Sequence, residues 1–353
     1  MKIALMGGAY VNAGDFLIEK RSRQLLEYNL NCDVDVFKRN LAYDDKVELL
    51  NSYDAIVFAG GPVFQNIYPE KMPFVKNLEE IKVPIMILGG GWKGRNIFTD
   101  TIYKNYQLSS EMMKFISHIE QNGKIGCRDW HTVRMLGAKG ITNVEMTGCP
   151  VWYDVTKISD LQLKPKYNEV DIKDTDITIG ISDPAMSWNR KRLFELMHLL
   201  RENYPNAKLK VFFHRGISAE NKKEIESLRQ SDERISYVDM SGSCDMFEEY
   251  NECFMHIGFR VHAHIYNLSQ GNLSVLINED ARGNGVNQAL GIEDINCGQR
   301  SWKNKFMNED VFEKVIMDYL QFIVETDYAQ YHQAYENMKR TYVKMEQYIK
   351  SIS

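Results

Sequence analysis

Short apolar runs alternate with longer amphipathic segments along most of this chain. In its first half the runs are "KIALMGG", "CDVDVFK", "DAIVFAGG", "PIMILGGG", "GKIGCRD" and "TNVEMTG". Between them lie segments with apolar residues at three-and-four spacing, for example residues 15–28 and 108–121. Because strands that alternate with helices build parallel sheets from βαβ units, this pattern predicts an α/β fold.

The pattern lapses once and then resumes. Residues 156–176 are polar and of mixed charge, after which "DITIGIS", "KLKVFFHR", "RISYVDM", "CFMHIGF" and "SVLINED" follow as strand candidates. A length of 353 residues suits two domains. We therefore predict an N-terminal Rossmann-like domain over 1–155, a linker over 156–176, a C-terminal Rossmann-like domain over 177–307 and C-terminal helices over 308–353.

Composition excludes several classes of partner. The net charge is only -5, and no run of five or six basic residues occurs, so we expect no nucleic-acid partner. No stretch approaches about 18 consecutive apolar residues, and we expect no integral membrane segment. Six cysteines without a C-x-x-C pair favour free thiols in a reducing cytoplasm. No metal-ligand spacing is present, and the oligomeric state stays open.

Candidate ligand contacts follow the predicted strands, because ligands of parallel sheets bind beyond the carboxyl ends of the strands. Gly60, Gly61 and Gly90 end two such strands, where glycine lets backbone approach a ligand. Asn12 and Asp15 lie in the first strand-to-helix loop, and we expect Asp15 to be the N-cap of the next helix. A G-x-G-x-x-G after the first strand and a Walker loop are both missing from the sequence.

Arginine and histidine mark the ends of three further strands, and at the end of "KLKVFF" they are His214 and Arg215. Arg128 follows "KIGC" and either pairs with Asp129, a natural N-cap, or faces an anion. Arg260 and His262 stand in "GFRVHAH", whereas His264 points to another helix face and is expected inside the fold. Two arginines and a histidine at one cleft would suit a small dianion with carboxylate and phosphate groups.

With these residues in view, residues 1–300 resemble the polysaccharide pyruvyl transferase family. The most specific motif is G-x-R-x-H in "GFRVH", followed by an apolar helix, the strand "SVLI" and "EDARG". The supporting motifs are an N-x-G-D loop at 12–15, a strand ending in Gly60 and Gly61, "ILGGGWKG", an R-D pair before "LGAKG", and "TGCP". The resemblance implies two Rossmann-like domains that face a cleft, similar to the glycosyltransferase B fold, with the acceptor on the N-terminal side.

The resemblance also implies a reaction. Phosphoenolpyruvate would donate pyruvate as a ketal to two hydroxyls of a surface polysaccharide or its lipid-linked precursor, without a cofactor. By motif, Arg260 and His262 belong to the donor site, with Arg128 as partner from the first domain. His262 would act as general acid or base, since the pKa of imidazole lies near neutrality, while the arginines hold the anion. Further contacts to phosphate or acceptor are assigned to His214, Arg215 and Arg282.

Two positions depart from the family pattern. Ser274 stands where the family usually has proline, and Arg282 stands where it usually has lysine. An arginine there still meets an anion, but in a different geometry. With a lipid-linked acceptor, the enzyme would work at the inner face of a membrane without inserting.

Two other functions stay open. The first is a glycosyltransferase of the same architecture, in which Glu279 or Asp280 would contact the ribose of a nucleotide sugar. The second is a non-catalytic carbohydrate- or protein-binding module with an aromatic surface. Its candidate tryptophans are Trp92, Trp152 and Trp302.

Overall fold

The computed structural model describes residues 1–94, 100–158, 165–166, 175–181, 187–253, 255–296 and 309–352. Within this part of the chain, the strands form two all-parallel sheets of six strands each. The predicted α/β fold with two Rossmann-like sheets is therefore confirmed.

The first sheet has the strand order β2-β1-β3-β4-β5-β6. Its strands are β1 (Lys2–Gly7), β2 (Asp33–Lys38), β3 (Ala55–Phe64), β4 (Ile85–Trp92), β5 (Lys124–Cys127) and β6 (Val144–Met146). Its helices are α1 (Ala13–Leu30), α2 (Val47–Leu50), α3 (Asp100–Asn105), α4 (Ser110–Asn122), α5 (Trp130–Gly137) and α6 (Val155–Ile158). β4 is buried along its whole length, because helices cover both faces of a parallel sheet. The strand order reverses at β1 and β3, which opens a crevice at their carboxyl ends.

The second sheet has the order β12-β11-β10-β7-β8-β9 and reverses at β7 and β10. Its strands are β7 (Ile177–Ile181), β8 (Leu209–Phe213), β9 (Ile235–Asp239), β10 (Met255–Gly258), β11 (Leu273–Asn278) and β12 (Ile295–Asn296). Its helices are α7 (Ser187–Asn203), α8 (Ala219–Ser231), α9 (Val261–Ser269) and α10 (Ala281–Leu290), and Asp245–Glu252 is a 3₁₀ helix. β12 was not predicted, because two residues carry no apolar run.

The C-terminal helices are α11 (Glu309–Glu325) and α12 (Ala329–Lys350). Tyr331, Tyr335 and Met338 are buried, so their three-and-four spacing marks a packing face of α12. α12 returns to the first domain, where the Tyr348 hydroxyl lies 2.8 Å from the carbonyl oxygens of Ile87 and Lys124.

Part of the predicted linker, residues 159–164 and 167–174, lies outside the described residues. Lys166, which is described, donates from its backbone N–H to the Gly271 carbonyl at 2.8 Å. Lys166 therefore contacts the second domain. Of the helices that the structure describes, none is long and apolar enough to cross a membrane.

Candidate active site

The carboxyl ends of the two sheets face each other across a cleft. The Ala13 N–H donates to the His214 carbonyl at 2.9 Å, and the Gly242 N–H donates to the Val11 carbonyl at 2.8 Å. These bonds join the loop after β1 to the strand ends of the second domain. The crevice at β1 and β3 and the crevice at β7 and β10 therefore both open into this cleft.

The N-terminus of α1 differs from the sequence prediction. α1 begins at Ala13, so Asp15 lies in its first turn, and the expectation that Asp15 caps the helix is wrong. Asn12 is the N-cap residue, but its side chain makes no capping bond. Its Oδ1 instead accepts a hydrogen bond from Arg260 Nη2 at 3.0 Å. The N-cap oxygen that accepts from the first N–H groups of a helix belongs to the residue before its first helical residue, and here that residue is Asn12.

Arg260 lies between β10 and α9 and directs its guanidinium toward the first domain. Burial lowers its pKa, and the carboxylate of Glu279 opposes that shift. Its Nε is buried and has no partner among the described residues. A guanidinium carries five N–H donors, so the bond to Asn12 leaves most of them available to an anion.

Arg128 reaches the same cleft from the end of β5, and its side chain is 1% exposed. Its Nε donates to Asp129 at 3.3 Å, while its Nη2 is buried without a partner in the described part of the chain. The guanidinium lies over Gly91, where a Cβ would be 2.4 Å from Cζ. Asp129 also caps α5 by accepting from the Thr132 N–H at 2.8 Å. Arg128 therefore pairs with Asp129, as one of the two predicted uses requires, and keeps one buried donor without a partner among the described residues. That it faces an anion stays a prediction.

His262 is the second residue of α9, and its ring packs on Gly14 of α1. A Cβ on Gly14 would lie 2.2 Å from Nδ1 of that ring. The Nε2 atom is buried and has no partner among the described residues. Burial, followed by the charges of Arg260, Arg128 and Arg282, lowers the pKa of His262 well below its usual value. The imidazole is therefore neutral in the free site.

Arg282 and Asp280 form a forked ion pair on the wall of the cleft. Arg282 Nε donates to Oδ1 at 2.8 Å, and Nη2 donates to Oδ2 at 2.6 Å. Burial opposes the charge of Arg282, but Asp280 outweighs it and raises the pKa of the guanidinium. Glu279, which the sequence suggested only for the alternative function, also lines the cleft with Arg128, Arg260 and His262. Among the described residues, the arginine donors that lie at the cleft without a hydrogen-bond partner are therefore Arg128 Nη2 and Arg260 Nε.

His214 and Arg215 do not line this cleft. The His214 side chain is fully buried, and its Nε2 lies 2.8 Å from the Tyr250 hydroxyl. Burial lowers the pKa of His214 well below its usual value, with Arg260 adding to the effect. Arg215 is exposed, although its charge still lowers the pKa of Arg260.

The predicted glycines bring β3 and β4 together at the cleft. A Cβ on Gly60 would lie 2.9 Å from the Gly89 carbonyl, and Gly61 has a φ of +76°. The Gly90 carbonyl accepts from the Arg128 N–H at 2.8 Å, which fixes the start of the Arg128 loop. These glycines thus shape the backbone of the site.

Arg39 is a site residue that the sequence prediction missed. It directly follows β2, and its Nη1 donates to the Gly60 carbonyl at 3.2 Å. Burial lowers the pKa of Arg39, and Asp15 is the first charge that opposes the shift. A basic residue directly after "DVDVFK" was the available signal.

Ser274, where the family pattern has proline, bridges two buried histidines. Its hydroxyl lies 2.8 Å from Nδ1 of His256 and 2.9 Å from Nδ1 of His264. Because a hydroxyl has one proton, it donates to one ring and accepts from the other. His264 therefore lies inside the fold, as its position predicts.

The aromatic surface of a binding module does not form from the predicted residues. Trp92 and Trp152 are each 1% exposed and belong to the cores of the chain. Trp302 lies outside the described residues. Buried tryptophans cannot line a surface, so this interpretation loses two of its three residues.

A Gly14→Ala substitution tests the contact between α1 and the His262 ring. The new Cβ would lie 2.2, 2.7 and 2.8 Å from Nδ1, Cγ and Cβ of His262, so the whole side chain must move. We expect the free energy of unfolding to fall by about 1–3 kcal/mol, although alanine normally favours helices. Urea denaturation measures this change. Gly137→Ala in α5 is the control, since open space surrounds that position; an equal loss in both variants would contradict the contact.

The comparison with family models decides the family. The polysaccharide pyruvyl transferase model matches residues 12–271, which is most of the chain. The chain belongs to the polysaccharide pyruvyl transferase family. The match spans Asn12, Asp15, Arg128, Arg260 and His262. No protein in the curated set matches the sequence.

Solved structures with this fold share little sequence with the chain. S. aureus MnaA with UDP has a TM-score of 0.56 at 11% identity and covers 95% of this chain and 91% of its own. N. meningitidis UDP-GlcNAc 2-epimerase bound to UDP-GlcNAc has a TM-score of 0.54 at 12% identity. The match covers 98% of this chain and 99% of the epimerase. The pneumococcal O-GlcNAc transferase GtfA, in complex with UDP and GlcNAc, has a TM-score of 0.52 at 11% identity. The match covers 88% of this chain and 59% of GtfA. At these identities the likeness shows the fold alone: two parallel-sheet domains of the glycosyltransferase B type.

Proposed function

We propose that this family member transfers pyruvate from phosphoenolpyruvate to two hydroxyls of a sugar in a surface polysaccharide or its precursor. One observation carries the proposal: Arg128 and Arg260 reach a single cleft from different domains, each with a buried N–H group that has no partner in the described part of the chain. Guanidinium binds carboxylate and phosphate in bidentate fashion, and the donor carries both groups.

In the proposed reaction the arginines bind the anionic donor, and His262 transfers the proton. Ketal formation requires a proton at the methylene carbon, addition of one hydroxyl at the adjacent carbon, and loss of phosphate as the second hydroxyl closes the ring. Burial lowers the pKa of the free His262, and the charges of the three arginines lower it further, so the imidazole is neutral. A bound anionic donor offsets their charge, so the pKa of His262 rises and the ring takes up the proton it must deliver.

The remaining parts of the proposal concern partners and location. The reaction needs no cofactor, since the phosphate of the donor is itself the leaving group. We place the enzyme in the cytoplasm, and at the inner membrane face if the acceptor is lipid-linked. Arg282, paired with Asp280, shapes the phosphate side of the cleft more than it adds charge.

A glycosyltransferase that uses a nucleotide sugar is the second candidate. The observation that favours it is the position of Glu279, which directly follows β11 and lines the cleft where a ribose could be held. Against it, arginine and histidine together at the end of β10 suit a small dianion better. Titration with UDP-N-acetylglucosamine separates the two functions.

Calorimetric titration of phosphoenolpyruvate into the wild type and Arg260→Ala tests the proposal. We expect saturable binding in the wild type and a loss of about 30-fold or more in the variant, since a desolvated charge contact disappears. Arg229→Ala is the matched control, because Arg229 lies on α8, is 54% exposed and pairs with Glu226. Binding of UDP-N-acetylglucosamine without any binding of phosphoenolpyruvate would instead support the glycosyltransferase.

A further inference from the structure

The carboxylate of Asp15 has no partner in the part of the chain that the structure describes. It lies in the first turn of α1, partly buried, and makes no hydrogen bond or ion pair with the described residues. Because α1 begins at Ala13, Asp15 has no capping function either. A carboxylate left free at the junction of two domains is available to a ligand.

Three arginines from different elements interact electrostatically with this carboxylate. Its charge acts on Arg39 after β2, on Arg260 after β10 and on Arg282 in α10, and in each case it favours the charged guanidinium. Arg39 is itself held in place, because its Nη1 donates to the Gly60 carbonyl at 3.2 Å. The carboxylate therefore lies close enough to act on the charge of all three arginines, without a direct ion pair to any of them.

Asp15 is also the neighbour of the residue on which His262 packs. Gly14 precedes it, and a Cβ there would lie 2.2 Å from Nδ1 of His262. His262 in turn lines the cleft with Arg128 and Arg260. The Asp15 carboxylate therefore belongs to the turn of α1 that contacts the His262 ring from the other domain.

The other carboxylates near the cleft are already engaged. Asp280 is held by both nitrogens of the Arg282 fork, and Asp129 accepts from Thr132 and Arg128. Glu279 acts on Arg260 more strongly than Asp15 does, and it has a further interaction of its own. Asp15 differs from these carboxylates because its side chain makes no hydrogen bond or ion pair with the described residues and because it directly follows Gly14, on which the His262 ring packs.

We propose that Asp15 is the general base that takes the proton of the first attacking acceptor hydroxyl, an inference that rests on the proposed function. The acceptor oxygen bonds to the central carbon of the donor as its proton passes to Asp15. The electron pair of the donor double bond takes a proton from protonated His262 and completes the methyl group.

The second hydroxyl then closes the ketal and restores both residues. Its oxygen bonds to the same carbon, and its proton returns to His262. The bond from carbon to phosphate oxygen breaks, the electron pair leaves with phosphate, and phosphate takes the proton from Asp15. The proton of the second hydroxyl thus replaces the one that His262 gave to the methyl group. The proton of the first hydroxyl reaches phosphate through Asp15.

The test compares Asp15→Asn with Glu19→Gln. Glu19 lies one turn further along α1 and pairs with Lys38 at 3.5 Å, so it is a carboxylate of the same helix outside the cleft. Phosphate release is measured with phosphoenolpyruvate and a panel of p-nitrophenyl glycosides that carry cis or trans diols, and donor binding is measured by calorimetry. We expect Asp15→Asn to lower kcat about 10²- to 10⁴-fold and to bind the donor at least as tightly as the wild type. Glu19→Gln should keep both values.

The outcomes separate this inference from the proposed function. Turnover in Asp15→Asn equal to that of the wild type overturns the general base. A loss of donor affinity that accounts for the loss of turnover also overturns it, because Asp15 would then only hold the arginines in place. A wild type that neither binds phosphoenolpyruvate nor releases phosphate with any glycoside overturns the proposed function, and the inference with it.

Discussion

Replacement of His262 by glutamine is expected to lower kcat for pyruvyl transfer about 10²- to 10⁴-fold while donor binding is largely kept. Glutamine fills much of the ring volume over Gly14, and its amide does not deliver a proton at neutral pH. The arginines that would hold the donor do not depend on the imidazole for a hydrogen bond, since His262 Nε2 has no partner among the described residues. Phosphate release and calorimetry on the same preparation measure the two effects.

His198→Gln is the matched control for this variant. His198 lies on α7, where its side chain is 67% exposed and faces Glu202 one turn away. Its replacement should change neither turnover nor donor affinity. Undiminished turnover in His262→Gln, with the fold intact, would remove His262 from the chemistry.

Replacement of Arg128 by methionine is expected to abolish measurable donor binding and also to destabilise the protein. The Asp129 side chain is 2% exposed and would lose its cationic partner. A buried charge left without its partner costs about 3–5 kcal/mol. Urea denaturation measures the loss of stability, and calorimetry with phosphoenolpyruvate measures the loss of binding.

The double variant Arg128→Met with Asp129→Asn separates these two effects. Asparagine caps a helix about as well as aspartate, so the bond to the Thr132 N–H survives while the buried charge is gone. We expect most of the stability to return and donor binding to stay lost. If donor binding also returned, Arg128 would be a structural residue and not a ligand of the donor.

The local features of the site could be predicted from sequence. Arg128, Arg260 and His262 each directly follow a strand or lie within a few residues of its end, and in a parallel sheet that position is the ligand-binding edge. The G-x-R-x-H motif and its order relative to the following helix and strand predicted the family, which the match over residues 12–271 confirms. These features depend on neighbours in the chain, and hydrophobic periodicity reports them directly.

Other residues could not be assigned from local pattern. Asp15 fits the composition of an N-cap, but Ala13 and Gly14 already adopt helical conformation, because Gly14 lets α1 begin beneath the His262 ring. His214 occupies the end of β8 as predicted, yet its ring turns into the core and bonds to Tyr250. Whether a strand-end side chain points into the cleft or away from it depends on what packs against it.

The sequence by itself determined two parallel α/β sheets, their strand ends and the family to which the chain belongs, because apolar periodicity and ordered motifs are properties of consecutive residues. Only the tertiary structure decided which of those ends meet. Asn12 and Arg260 are separated by 248 positions in the chain, yet they are joined by a hydrogen bond of 3.0 Å. Contacts of this kind, including Gly14 with His262, depend on how two sheets face each other, and no local pattern of residues encodes that arrangement.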